Sequence, residues 1–259
     1  MQLTLDARSA FVYHGPAQSG HPTLLLIHGG GLDHQAWLPV IHRLESRGVG
    51  VFAPDLPGHG RSGGMPMVDI EAMAAWIMQL LDHVAIPVTT LAGHSMGSLV
   101  ALECAGRDGS AAATGGPARI ARLVLLATGF PMHVSDALLD AAVNDEPKAQ
   151  EMVNAWSHAI PRAGDGAIGE AMAAAMAHNL ANMQRQRHAV LHADLLACAR
   201  YSAGFESAAR VRCPTLLLLG EKDRMTPPRS ADALAAALRA GVETQVVTLP
   251  ATGHNMMAE

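Results

Sequence analysis

The chain has 259 residues, 49% hydrophobic and 16% charged, enough to bury a sizeable core and unlike a disordered or fibrous composition. Its 18 Lys and Arg against 23 Asp and Glu give a formal charge of -5, with no basic stripe, which argues against a nucleic-acid partner. Cys104, Cys198 and Cys213 stand far apart without a CxxC pair, so neither a disulfide framework nor a zinc site is expected, and a reducing, cytoplasmic setting is.

In chain order, residues 1–6 lack a basic region followed by an apolar stretch, so no secretory signal is read there. No apolar run approaches the roughly 20 residues of a membrane span. Residues 23–27 (Thr-Leu-Leu-Leu-Ile) read as a strand buried on both faces, as do 49–53, 88–92, 123–126 and 215–219, and 245–249 reads as the last strand. Between them lie helical patterns. Asp69 can cap a helix whose Ile70, Met73, Ala74, Ile77, Leu80, Leu81 and Val84 share one stripe. Residues 230–239 form another, opened by Pro227-Pro228 and closed by Gly241. The Gly- and Ala-rich stretch 109–116 reads as a surface loop. Strand-helix alternation of this kind predicts a doubly wound α/β sheet. Residues 132–205 break the rhythm, with only helical stretches separated by Pro161 and Gly164-Asp165-Gly166, and read as a helical insertion.

At the end of one strand stands Gly93-His94-Ser95-Met96-Gly97, a G-x-S-x-G pattern. A tight strand-to-helix turn forces the serine into strained backbone, and glycine on both sides removes the side chains that would collide as the chain reverses. A serine needs a base, and the base an orienting acid. Both follow at the carboxyl edge of the sheet: Asp223 in the loop after residues 215–219, with Glu221 as competing acid, and His254 after the last strand. An oxyanion then needs two backbone donors, assigned to Met96, the residue after the serine, and Gly30 in the glycine run Gly29-Gly30-Gly31.

Taken together, His28-Gly29-Gly30-Gly31, Asp55-Leu56-Pro57-Gly58-His59-Gly60-Arg61-Ser62, Gly93-His94-Ser95-Met96-Gly97, residues 220–223 with Pro227, and Gly253-His254 resemble the α/β-hydrolase superfamily, in that family's order. The resemblance implies an eight-stranded, mostly parallel sheet flanked by helices. It implies a core formed by residues 1–131 and 206–259 and a helical cap over 132–205. It further implies a serine hydrolase that needs no cofactor or metal, acting with water on a small-molecule acyl substrate. The leading expectation is a small to medium, largely apolar carboxylic ester, lactone or thioester. Two departures stand out. Only five residues follow His254, where relatives continue into a final helix, so the terminus is either cut short or lacks that helix. Asn255 and Met256 replace the tryptophan common in carbon–carbon bond hydrolases, which lowers that reading. A catalytically silent ligand-binding or signalling protein, a lyase and a perhydrolase remain as alternatives, and the oligomeric state is unread.

Candidate pocket residues are Gly29, Gly31, Leu32, Trp37, Phe130, Met132, Trp156, Met225 and Asn255, where for Trp37 and Trp156 an ordinary core role stands beside the pocket role. Met172, Met176 and Met183 suit either core filling or an adaptable apolar wall. His188 and His192, four apart with Asp194 nearby, have the spacing of metal ligands but read better as a solvated or capping pair. His28, His59 and His94 read as loop residues bonded to backbone or packed, and Cys104 as a small buried hydrophobe.

Overall fold

A computed structural model of the chain describes residues 1–5, 7–84, 90–116, 118–159 and 167–259. Its centre is an eight-stranded sheet in the order β1-β2-β4-β3-β5-β6-β7-β8. The strands are β1 (Gln2–Leu5), β2 (Arg8–Gly15), β3 (Thr23–Ile27), β4 (Gly50–Pro54), β5 (Thr90–His94), β6 (Arg122–Leu126), β7 (Thr215–Gly220) and β8 (Thr244–Leu249). From β4 to β8 all neighbours are parallel, while β1 and β2 join antiparallel at one edge. Six of these strands, β3 to β8, coincide with the apolar runs predicted from sequence. Missing were β1, which is mostly exposed, and β2, whose buried apolar run Ala10-Phe11-Val12 is short and flanked by exposed residues. Residues 88 and 89, expected in β5, lie outside the described residues, as do Pro161 and residues 164–166.

Period-2 alternation explains why the central strands read as unbroken apolar runs. Leu25, Ile27, Leu91, Leu123, Leu125, Leu217 and Leu219 enter one core. Leu24, Leu26, Ala92, Val124, Leu126 and Leu218 enter another, on the opposite face. The first core is completed by α2 (Ile70–Val84), α3 (Met96–Ala113), α8 (Gly204–Arg210) and α9 (Asp232–Arg239). The second is completed by Trp37 and by Ile41 of α1 (Leu38–Glu45). Asp69 caps α2 through the Ala72 amide at 2.6 Å, and the predicted stripe from Ile70 to Leu81 is buried.

The stretch read as a surface loop at 109–116 is mostly helix, because α3 runs on to Ala113. Alanine favours continuation, and Gly109 is needed there for packing, since a Cβ on it would sit 2.0 Å from the Arg210 carbonyl of α8. Between β6 and β7 lie α4 (Asp136–Asn144), α5 (Glu146–Ser157), α6 (Ala167–Gln184), α7 (Val190–Arg200) and α8, with no strand among the described residues. Leu138, Val153, Met183, Leu191 and Leu195 from these helices build a third apolar cluster with Leu32 of the sheet edge. α8 instead packs on α3 in the main core, tied through Glu103, which accepts from Arg107 Nε at 2.8 Å and Tyr201 Oη at 3.0 Å and also bonds the Ser207 hydroxyl. No helix among the described residues is long and apolar enough to cross a membrane.

Candidate active site

The loops after β3, β5, β7 and β8 all leave the carboxyl edge of the sheet. Strand order reverses around β3, which is flanked by β4 and β5, and this is where open α/β sheets form a crevice. In that crevice Ser95 separates β5 from α3 with φ 53 and ψ -119, a conformation side chains rarely adopt. The neighbouring chain permits nothing but glycine on either side. A Cβ on Gly93 would lie 2.0 Å from the Gly97 carbonyl oxygen, and one on Gly97 would lie 2.4 Å from the Ile27 carbonyl oxygen. The turn is held by the Ser95 amide donating to Leu126 O at 2.9 Å and by the Ser98 hydroxyl donating to Ser95 O at 2.6 Å.

The acid and base lie together. His254 Nδ1 is 2.8 Å from Asp223 Oδ2. The other oxygen, Oδ1, accepts the amides of Met225 and Thr226, each at 2.8 Å. The Thr226 hydroxyl sits 2.9 Å from Asp223 Oδ2 and 2.8 Å from the Ala127 carbonyl oxygen. Burial pushes the Asp223 carboxyl up, but the charge and hydrogen bond of His254 and the Thr226 donors outweigh it and hold the group below the usual carboxylate range. Glu221 is turned to the outside, where Oε2 accepts the Ala251 amide at 2.8 Å. Behind His254, its carbonyl accepts from His94 Nε2 at 2.9 Å. Burial, helped by the neighbouring His254, pushes His94 down to about 3, so its ring is neutral and serves as a strut. The Ser95 hydroxyl has no hydrogen-bond partner among the described residues, so serine and histidine are associated through the cavity they share.

That cavity measures about 400 Å³, and Gly30, Ser95, Met96 and His254 all line it. The Met96 amide is at the first position of α3, one of the helix donors without an internal acceptor. Of the expected pocket residues, Gly29, Leu32, Met132, Trp156, Met225 and Asn255 line it. Three others do not. Trp37 is buried in the core of the opposite sheet face, its ring edge-on to His94 at 6.4 Å. Phe130 turns into the main core, stacked edge-on against Tyr201 and Phe205 at 5.6 and 4.9 Å. Gly31, at φ +67, gives its amide to Asp194, and a Cβ on it would lie 2.9 Å from Leu191 Cδ1. The glycines at 30 and 31 thus make room for α7, and not only for a small molecule.

Leu138, Val153, Met183 and Leu195 complete the apolar wall, and Asp194 also borders it. Of the methionines expected as core or wall, Met183 lines the cavity, whereas Met172 and Met176 are half-buried on α6. Asp194 had a legible signal, a lone acid in the apolar run Leu191-His192-Ala193-Asp194-Leu195-Leu196. His59, expected to bond its own loop, does so through Nδ1 to Pro57 O at 3.1 Å, but its Nε2 reaches Asp194 Oδ2 at 2.8 Å. His188 sits in the turn before α7 and pairs with Glu146 at 2.5 Å, so the His188, His192 and Asp194 spacing does not converge. Asp33, His34 and Asp55 do cluster, with ligand atoms within 4.8 Å of one another. Their carboxylate oxygens are already taken by N–H donors of His34, Gln35, Arg61 and Gln186, which makes the cluster a hydrogen-bonded loop anchor.

A sequence model of the alpha/beta hydrolase family matches residues 24–259. The dihydrolipoyllysine-residue acetyltransferase component of the acetoin cleaving system of Pseudomonas putida is 30% identical over 93% of this chain, which spans 60% of that longer protein. The pimeloyl-[acyl-carrier protein] methyl ester esterase of Aromatoleum aromaticum is 30% identical over 84% of this chain and 86% of its own length. In fold, the chain resembles the enol-lactonase from Burkholderia xenovorans LB400, with TM-score 0.82 at 20% identity over 98% of this chain and 93% of that one. An esterase from Exiguobacterium antarcticum gives TM-score 0.80 at 17% identity, over 98% and 91%.

Proposed function

This chain belongs to the alpha/beta hydrolase family, and on that premise we propose that it hydrolyses carboxylic esters through an acyl-enzyme on Ser95. The observation that carries the reading is the 2.8 Å Asp223–His254 contact beside a strained Ser95 in one cavity. His254 Nε2 takes the serine proton as Oγ attacks the acyl carbon, and Asp223 keeps Nδ1 protonated and stabilises the imidazolium. The amides of Gly30 and Met96 receive the oxyanion, each worth on the order of 3 kcal/mol to the transition state. His254 then returns its proton to the leaving alcohol and activates water for deacylation.

Residues 132–205 act in this reading as a cap over the core formed by 1–131 and 206–259. The cavity walls supplied by Leu138, Val153, Met183 and Leu195 suit a small to medium, largely apolar acyl group, with lactones and thioesters as chemical neighbours. The relatives named as a methyl ester esterase and an enol-lactonase support the ester class.

Turnover of nitrophenyl esters of increasing chain length is the test, with Ser95→Ala as control. Activity is expected with short to medium chains and at background level in the variant, which also escapes fluorophosphonate labelling. Turnover that survives Ser95→Ala overturns the mechanism. Labelling of Ser95 without turnover of any acyl substrate points to a ligand-binding protein instead.

A further inference from the structure

Gly29-Gly30-Gly31 is the most flexible kind of backbone, yet an oxyanion donor must be held in advance of the reaction. The two peptide planes that meet at Gly30 are each held from outside. In the first, the Gly29 carbonyl accepts from the Leu32 amide at 3.3 Å and from His28 Nδ1 at 2.9 Å. Because the carbonyl and N–H of a trans peptide point in opposite directions, this turns the Gly30 amide away from the turn. The second plane carries the Gly31 amide, which donates to Asp194 Oδ2 at 2.7 Å. Asp194 comes from α7, is fully buried, and is so close that a Cβ on Gly30 would lie 3.2 Å from its own Cβ.

A carboxylate beside an oxyanion hole would oppose the negative charge developing there, unless it is neutralised. His59 does this. Its Nδ1 faces the Pro57 carbonyl, which can only accept, and its Nε2 faces the same Asp194 oxygen at 2.8 Å. Both ring nitrogens therefore donate, and the ring is an imidazolium. Asp194 raises the affinity of His59 for its proton against the opposing effect of burial. His28, whose ring lies 4.9 Å from that of His59, accepts the Leu56 amide on Nε2 and stays neutral, pushed down to about 4 by burial and by the His59 charge.

Building on the serine-hydrolase reading, we infer that the buried Asp194–His59 pair is a positioning device for the oxyanion hole. Asp194 fixes the Gly31 amide and through it the Gly30 donor, and His59 cancels the carboxylate's charge. The inserted helix α7 thereby completes a site whose reacting groups all come from the sheet loops.

The test compares Asp194→Asn and His59→Gln with the wild type on a nitrophenyl ester, alongside inhibition by an alkyl trifluoromethyl ketone, which forms an oxyanion on the serine. Asparagine matches the shape of Asp194 but cannot satisfy the Gly31 amide and a neutral His59 at one atom. The expected result is kcat lower by about 10- to 100-fold with KM within about 3-fold, and ketone affinity reduced in proportion to kcat. His59→Gln leaves the Asp194 charge uncompensated and lowers kcat similarly, while the double variant regains part of that loss. A folded Asp194→Asn with kcat and ketone affinity within 3-fold of wild type overturns the inference, as does an equal effect on KM. If Asp194→Asn fails to fold, His59→Gln decides in the same way, and if neither folds the pair is structural and the inference falls. Turnover retained by Ser95→Ala in the same assay would instead sink the serine-hydrolase reading, which keeps the two failures apart.

Discussion

Replacing Asp223 by asparagine probes the assignment of the acid most directly, because the structure fixes how the new side chain must sit. Oδ1 receives two amides, from Met225 and Thr226, so the asparagine carbonyl has to occupy that place. Its NH2 group then faces His254 Nδ1 and the Thr226 hydroxyl, which can accept from it while donating to Ala127 O. Every bond in the loop is satisfied and the fold is expected to survive. His254 is nevertheless forced into the tautomer with the proton on Nε2, where it can no longer accept the serine proton. A wrong tautomer in such a triad costs about 10⁴-fold in kcat, or about 5.5 kcal/mol at about 1.4 kcal/mol per factor of ten. The assay is kcat and KM on a short nitrophenyl ester at neutral pH, with Glu221→Gln beside it. Glu221 braces the Ala251 amide and pairs with Lys222 at the outer edge, away from His254, so that variant should stay within about 3-fold. A loss under 10-fold for Asp223→Asn, or a larger loss for Glu221→Gln, would refute the assignment. Stability gives a second reading. The Asp223 carboxyl is held below its ordinary range, so it stabilises the fold above the unfolded-state pKa and this is lost as pH falls through the depressed folded value. The asparagine variant should therefore lose less stability on acidification than the wild type.

Gly97→Ala places a Cβ 2.4 Å from one backbone carbonyl oxygen and 2.5 Å from another, and should lower the melting temperature by at least about 6 °C, a cost of some 3 kcal/mol. Gly241→Ala meets nothing nearer than 3.9 Å and should be close to neutral; equal melting temperatures for the two would contradict the packing account. His94 is held neutral, so its stabilising effect is complete above pH 6.5 and is lost as pH falls toward about 3. That amounts to about 2 kcal/mol between pH 7 and 5, so urea unfolding of His94→Gln should show a shallower fall over that window, and parallel curves would exclude the effect. Glu103→Leu removes the acceptor shared by Ser207, Arg107 and Tyr201, leaving Tyr201 only Ser207 Oγ at 3.2 Å, and should cost about 3 kcal/mol in thermal unfolding; an unchanged melt would show the network to be dispensable.

The sheet was legible because burial on both faces writes itself into sequence as runs such as Thr23-Leu24-Leu25-Leu26-Ile27. β1 was not, since this exposed edge strand carries no such run, and β2 offers only the short run Ala10-Phe11-Val12-Tyr13 between polar and exposed residues. Ser95, Asp223 and His254 could be proposed together because each stands just past a well-marked strand, and the structure brings His254 to 2.8 Å from Asp223 and into one cavity with Ser95. The walls were harder. Trp37 and Phe130 follow functional loops in sequence yet turn into the two cores, because direction at a loop exit depends on backbone angles that residue type alone does not set. Helices of the insertion offer apolar residues on more than one side, so their facing toward the cavity or toward one another is decided only when they pack.

The glycine loop after β3 joins these two levels. A Cβ at position 30 would come to 3.2 Å from Asp194, and one at position 31 to 2.9 Å from Leu191, so the loop is fitted to α7 as closely as to anything in the cavity. Gln186 strengthens the same seam, accepting the Gly60 amide at 2.8 Å and donating to Asp33 at 3.2 Å, and Arg187 donates to Gly64 O at 3.0 Å. Lifting α7 away would release the Gly31 amide from Asp194. On the serine-hydrolase reading, a preorganised Gly30 donor therefore requires α7 to be seated on the glycine loop while the oxyanion forms.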